Sequence, residues 1–268
     1  MSNTDDTNNN AEENPSSTLP DLSKSKFINV ASMNEKRWYA ACVAINTNQF
    51  LMMGGYDGSR LFSSCEMYDR TSNQWTSLSC NLPKALYSCG AAFVNGKIYL
   101  AGGYDNSRSY SNDVFVLDTS TTSNTTEWKW ERVAPMNEKR SGCAVVAYNN
   151  FVYVLGGVNN DNVYLNTVEV LDTTTGTWNA GPSMLSKRRY LAAVVVGNKL
   201  YAIGGHDGNN NRLKTTEVLD LTAENPTWKR GPDMNQTRLG AAAVVISDRY
   251  IVVSGGGDEK KKHSSTVV

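Results

Sequence analysis

Short apolar runs recur along the chain at a nearly fixed interval, and five of them end in a glycine pair, beginning at Gly54, Gly102, Gly156, Gly204 and Gly255. The spacings are 48, 54, 48 and 51 residues. Ahead of each pair stand an apolar stretch, a polar turn and a second apolar stretch, as in CAVVAYNNFVYVLGG, AAVVVGNKLYAIGG and AAVVISDRYIVVSGG. Such runs, rich in Val, Ile and Tyr, predict two strands joined by a hairpin. The turns fall at Asn95-Gly96, Asn149-Asn150, Gly197-Asn198 and Ser247-Asp248, residue types that tolerate positive φ. Unbroken apolar character over residues 98–101 and 152–155 predicts strands buried on both faces.

After each glycine pair a polar loop leads to a third strand near residues 66–68, 114–117, 168–171 and 217–219, followed by Asp69, Asp118, Asp172 and Asp220. Trp75, Trp130, Trp178 and Trp228 then open a fourth segment, and Met-x-x-x-Arg closes the unit at Arg140, Arg188 and Arg238. One four-stranded sheet cannot cover both of its own faces, so the units must stack radially. The fold class expected is all-β, a β-propeller of four-stranded antiparallel blades. The last repeat reaches only Thr266-Val267-Val268 where others continue, and Phe27 precedes Met33 by the six residues that separate Trp130 from Met136. Five blades are therefore expected, the last closed by an N-terminal strand at residues 26–30 against residues 265–268. Residues 1–24, polar and acidic, are expected to be a disordered leader, with the propeller over residues 25–268.

The glycine pairs, the Tyr68-to-Trp75 spacing and the extensions Tyr56-Asp57-Gly58 and His206-Asp207-Gly208 resemble Kelch repeats over about residues 27–268. Leu117, Leu171 and Leu219 depart from that pattern where a tyrosine is expected, and Leu86 stands where other repeats have Arg. The resemblance implies a non-enzymatic protein-interaction module that presents one propeller face to a peptide or protein, as a substrate receptor of a ubiquitin ligase or as a scaffold. No BTB-like, F-box-like or RING-like segment is read, so the receptor role rests on the resemblance alone. Partner contacts are expected from the loop ahead of each first strand, with Arg37, Arg140, Arg188, Arg189 and Arg238, and from the loop after each glycine pair, with Tyr56, Tyr104 and His206. The arginines would form a cationic ring, broken at Leu86, that selects acidic or phosphorylated peptides. The competing reading has each Arg pair with a loop acid such as Asp57, Asp105 or Asp207 and brace the blades.

Lys plus Arg equals Asp plus Glu at 26 each, which removes the basic surplus that nucleic-acid binding needs. No apolar run approaches the ~18 residues of a membrane span, and the N-terminus is neither apolar nor basic, so a monomer with a cytoplasmic address is expected. A nuclear one would rest on the three lysines Lys260, Lys261 and Lys262, which read better as a solvated loop. Five cysteines without a Cys-x-x-Cys pair and two histidines signal neither a zinc site nor a disulfide framework, and no metal or cofactor is expected. The copper site of galactose oxidase, a related propeller, needs two histidines, two tyrosines and a cross-linked cysteine in an arrangement not read here. An enzyme acting on a small molecule such as a sugar, a hydrolase or an isomerase built from tyrosines and carboxylates, is the alternative.

Overall fold

The protein is described by a computed structural model over residues 28–209 and 211–258. Its contacts divide the chain into Met1–Val30 and Ala31–Val268. Of the first unit only residues 28–30 are described, and they form no strand. The leader expected over residues 1–24 lies outside the described residues.

The second unit carries the predicted blades. The first is Ala41–Ala44, Gln49–Met53, Cys65–Asp69 and Gln74–Leu78 in sequence order, every neighbour antiparallel. The second (Gly90–Val94, Lys97–Ala101, Val114–Asp118, Trp130–Val133), third (Ala144–Tyr148, Phe151–Leu155, Val168–Asp172, Thr177–Gly181) and fourth (Ala192–Val196, Lys199–Ile203, Thr216–Asp220, Lys229–Arg230) repeat that order. Of the fifth, Ala242–Ile246 and Tyr250–Ser254 form a two-stranded sheet among the described residues. Of the expected closing pair, residues 26–30 against 265–268, residues 28–30 form no strand, and residues 26–27 and 265–268 lie outside the described residues.

The hairpin turns work as their residue types demand. Asn95 and Gly96, and likewise Ser247 and Asp248, both take positive φ, whereas at Asn149 and Gly197 only the first turn residue does. The acids after each third strand cap the next turn: Asp118 and Asp172 accept from the backbone N–H of Ser120 and Thr174 at 2.9 and 2.8 Å.

The core lies between blades. Leu51, Met53, Leu86, Leu100 and Phe115 fill the first interface, and Met136, Val152 and Val154 help fill the second. First strands of successive blades pack on one another, from Ala41–Ala44 through to Ala242–Ile246. Two backbone joints lock this order. The second glycine of the first four pairs donates to the next blade, Gly55 to Leu86, Gly103 to Arg140, Gly157 to Arg188 and Gly205 to Arg238, each at 2.8 Å. A Cβ on Gly156 would stand 2.3 Å from the Arg188 carbonyl oxygen at φ +62°, so only glycine permits that approach. On the outside each indole ties its blade to the chain leaving the one before: Trp130 to Cys80 O, Trp178 to Ala134 O and Trp228 to Pro182 O, at 3.2, 2.9 and 2.9 Å. Trp75 donates to Ala31 O at 2.8 Å, so Ala31 takes the equivalent place ahead of the first blade.

Candidate functional site

Four of the eight residues expected at the partner face are inside the protein. Arg140, Arg188 and Arg238 are 1%, 0% and 1% exposed, and Arg37 is 8% exposed. Their guanidinium groups are held by internal acceptors. Arg188 Nη1 donates to Gly204 O and Thr215 O at 2.7 and 2.9 Å, while Nη2 reaches Thr215 Oγ1 and Glu217 Oε1, both at 2.9 Å. Arg140 repeats the set with Gly156, Thr167 and Glu169, and Arg37 with Gly54, Ser64 and Glu66. Each glutamate also accepts from the Met-x-x-x-Arg backbone, as Glu217 does from Leu185 and Ser186 at 2.6 and 3.0 Å. Desolvation pushes the Arg188 guanidinium below its ordinary range, and the adjoining Glu217 carboxylate opposes that. The expected cationic ring is thus corrected to a set of internal braces, and the partners of Arg37, Arg140 and Arg188 are third-strand glutamates rather than the loop acids Asp57, Asp105 and Asp207, while Arg238 donates to Gly255 O.

Leu86 has a matching correction. It is fully buried, and Phe115 stands at the strand position held by Glu66, Glu169 and Glu217 in other blades. The second blade replaces the whole ion pair with an apolar pair. Removing both charges avoids the desolvation that burying either would cost.

The next positions along the chain form a repeated backbone bridge. The next residue and the one after the glycine pair bridge backbone to backbone in every blade: Trp38 with Tyr56, Tyr87 with Tyr104, Ser141 with Val158, Arg189 with His206, and Leu239 with Gly257. One position further on, Tyr39, Ser88, Gly142, Tyr190 and Gly240 all take left-handed backbone, with φ of 52°, 56°, 67°, 54° and 70°. They form a staircase of backbone bonds in which Ser88 donates to Tyr39, Gly142 to Ser88, Tyr190 to Gly142 and Gly240 to Tyr190, at 2.7–2.9 Å. Glycine suits such a step. A tyrosine there is strained, and strain of this kind collects where function holds it in place.

Both tyrosines present their rings to one face. Tyr39, 52% exposed, stacks on Tyr190 with centroids 5.4 Å apart and also meets Tyr87 at 6.0 Å. Tyr87 continues the cluster to Tyr56 at 5.8 Å and Tyr104 at 5.3 Å, Tyr104 reaches Tyr110 at 5.2 Å, and Trp38, 57% exposed, meets Tyr56. Arg189 lies within it, 4.5 Å from the Tyr190 ring centroid and 5.9 Å from that of Tyr110, with Nη2 donating to the Tyr190 hydroxyl at 3.0 Å. Gly142 makes room, since a Cβ there would meet Arg189 and Tyr190 at 2.9–3.0 Å. No carboxylate pairs with Arg189 among the described residues. Its Nε, together with the hydroxyls of Ser88 and Ser141, is buried without a hydrogen-bond partner. A cavity of about 770 Å³ opens beside Tyr39 and Tyr190, lined also by Trp38, Arg212 and Leu239.

Tyr56, Tyr104, Arg189 and His206 therefore stand on this face, His206 at its side with its ring 5.4 Å from Tyr164. Missed in the sequence were Trp38, Tyr39, Tyr87, Tyr110 and Tyr190. The signal for Tyr39 and Tyr190 was alignment of Arg-Trp-Tyr and Arg-Arg-Tyr with Arg-Ser-Gly and Arg-Leu-Gly, which sets a tyrosine where two repeats need glycine.

The KLHDC2/KLHL20/DRC7 Kelch-repeats domain matches the sequence over residues 21–187 and 123–268. The chain belongs to the Kelch-repeat family. Among curated relatives it is 41% identical over 66 residues to Kelch-like protein 35 of Mus musculus and 28% identical over 137 residues to Kelch-like protein 23 of Homo sapiens. These matches take in 25% and 50% of this chain and 11% and 22% of the relatives, so the chain spans a minor part of either. In Kelch terms, the repeated arginines and glycines build the blades, while the residue after each arginine differs from blade to blade. No group of three His, Cys, Asp or Glu residues among the described residues could hold a metal ion, and no helix there is long and apolar enough to cross a membrane.

Proposed function

We propose that this Kelch domain is a non-enzymatic protein-interaction module whose partner, a peptide or protein segment, docks on the tyrosine face around Arg189. The observation that carries the reading is the contiguous cluster of Trp38 and Tyr39, both more than half exposed, with the half-buried Tyr56, Tyr87, Tyr104 and Tyr190, surrounding an arginine without a carboxylate partner among the described residues. Tyrosine, tryptophan and arginine are the residues that dominate binding energy at interfaces, because they offer large rigid apolar area together with a polar tip. The Arg189 guanidinium, with no carboxylate partner among the described residues, favours an oxygen-rich acceptor, a carboxylate or phosphate of an acidic or phosphorylated segment. Its charge comes from Arg189 in one blade rather than from a ring of arginines. A role as substrate receptor or scaffold, in the cytoplasm, fits such a module.

Selection of peptides from a random display library on the full chain tests this. The peptides recovered are expected to pair aromatic or apolar residues with Asp or Glu, and their binding should weaken as salt rises. Recovery of basic or uncharged peptides alone would contradict the reading.

A further inference from the structure

The spaces between successive blades are not filled alike. Between the first and second blades Trp128, 7% exposed and two residues ahead of Trp130, packs into the core. Between the third and fourth, Leu221 packs against the core from the position after Asp220. The third blade offers the second neither of these side chains. Gly176 stands two residues ahead of Trp178, and Thr173 follows Asp172. A Cβ on Gly176 would meet nothing within 4 Å, and the Thr173 hydroxyl donates to Asn150 O at 2.7 Å. A cleft of about 230 Å³ remains between the second and third blades, walled by Tyr99, Val116, Val133 and Leu171. Its charged lining residues are Lys97 and Glu131. Lys97 is paired with Asp118 at 3.1 Å. Glu131 is exposed, forms no hydrogen bond or ion pair among the described residues, and acts on Lys97 only across space. It lies opposite Val116 in the sheet, at the register place that Thr76, Asn179 and Lys229 hold in the other blades, so this carboxylate belongs to the second blade alone among the four.

We propose that this cleft is a docking site for a lysine side chain of a partner protein, its aliphatic stem on Val116, Val133 and Leu171 and its ammonium on Glu131. Lysine lays its stem along apolar surface while its charge stays at the wet rim, and the cleft presents that division, apolar walls below a carboxylate that no residue of its own chain pairs. Its volume lies below the ~300 Å³ at which pockets for drug-sized molecules begin, and suits a single side chain. The site is separate from the tyrosine face and of opposite charge preference, so it does not rest on the reading proposed for that face.

The probe is N-acetyl-lysine methylamide, titrated into the isotope-labelled full chain while the backbone amide resonances of Thr173 and Gly176 are followed, with N-acetyl-norleucine methylamide as its uncharged counterpart. Saturable shifts at both amides are expected with the lysine probe. Glu131→Gln should weaken its binding about two- to fivefold, as loss of an exposed ion pair implies, and leave the norleucine probe unaffected. Thr173→Leu, which copies Leu221, should fill the cleft and remove the shift at Gly176 with melting little changed, and Arg189→Ala should leave that shift intact. The two-probe comparison on Glu131→Gln alters an exposed side chain only, so it holds even if Thr173→Leu does not fold. Absence of shifts at Thr173 and Gly176, an equal effect of Glu131→Gln on both probes, or undiminished binding by a folded Thr173→Leu chain would overturn the proposal.

Discussion

Tyr39 and Tyr190 occupy steps of the backbone staircase that Gly142 and Gly240 occupy in other blades. Left-handed backbone costs a residue with a Cβ roughly 1–2 kcal/mol, whereas the stacked ring pair returns about 0.5–1.5 kcal/mol. The expected outcome for Tyr190→Gly is accordingly a melting temperature close to wild type, within ~1 kcal/mol of stability, and a clear loss of partner affinity. Thermal denaturation beside a binding titration checks both halves, and a sharply lowered melting temperature would assign Tyr190 to the scaffold. Arg188 behaves in the opposite way. Removing it leaves Glu217 charged and buried, so Arg188→Leu should cost about 3–5 kcal/mol in a denaturant titration. Adding Glu217→Phe copies the Leu86 and Phe115 pair of the second blade and should recover much of that loss. An additive double variant would show that the ion pair is not the unit of stability.

At the scale of the strand and its turn, the acids that close each third strand matter through their hydrogen bonds. The Ser120 hydroxyl and backbone N–H hold the Asp118 carboxyl down to about 2. At Asp105 burial opposes the charge, but the Ser107 hydroxyl and the Lys84 ammonium outweigh it and hold that carboxyl to about 2 as well. Both folded values lie below the ordinary ~3.9, so the stabilisation they give is present above ~pH 4 and is lost as the pH falls towards ~2. Melting measured across that window should decline for the wild type. Asp118→Asn should melt lower at neutral pH and converge with it near ~pH 2, and parallel curves would contradict the assignment. These elements were legible in the sequence because short apolar runs, turn residues and the acids after each third strand act locally. Function was less legible for a physical reason. An arginine that recurs at one position in repeat after repeat is buried each time and donates to the first glycine's carbonyl of its pair, so its recurrence marks a brace. The residue after each arginine position changes from Trp38 to Tyr87, Ser141, Arg189 and Leu239, and only the blades' packing brings Trp38, Tyr87 and Arg189 to one face.

Across the whole propeller, the proposed function divides stability and recognition between two sets of residues within a few positions of each other. Glycine pairs, arginines, third-strand glutamates and indoles join blade to blade, and the loops ahead of the first strands are left to vary. The repeat period alone was enough to predict the blades, since no other arrangement covers both faces of sheets this small. It could not specify the face, because the left-handed tyrosines depend on backbone bonds between neighbouring blades. The division is tested most directly by the affinity of a display-selected acidic peptide for the full chain and for Arg189→Ala, each with its melting curve. Loss of about tenfold or more in affinity with melting unchanged is the predicted result; equal affinity, or a loss accompanied by an equally large fall in melting temperature, would contradict the account.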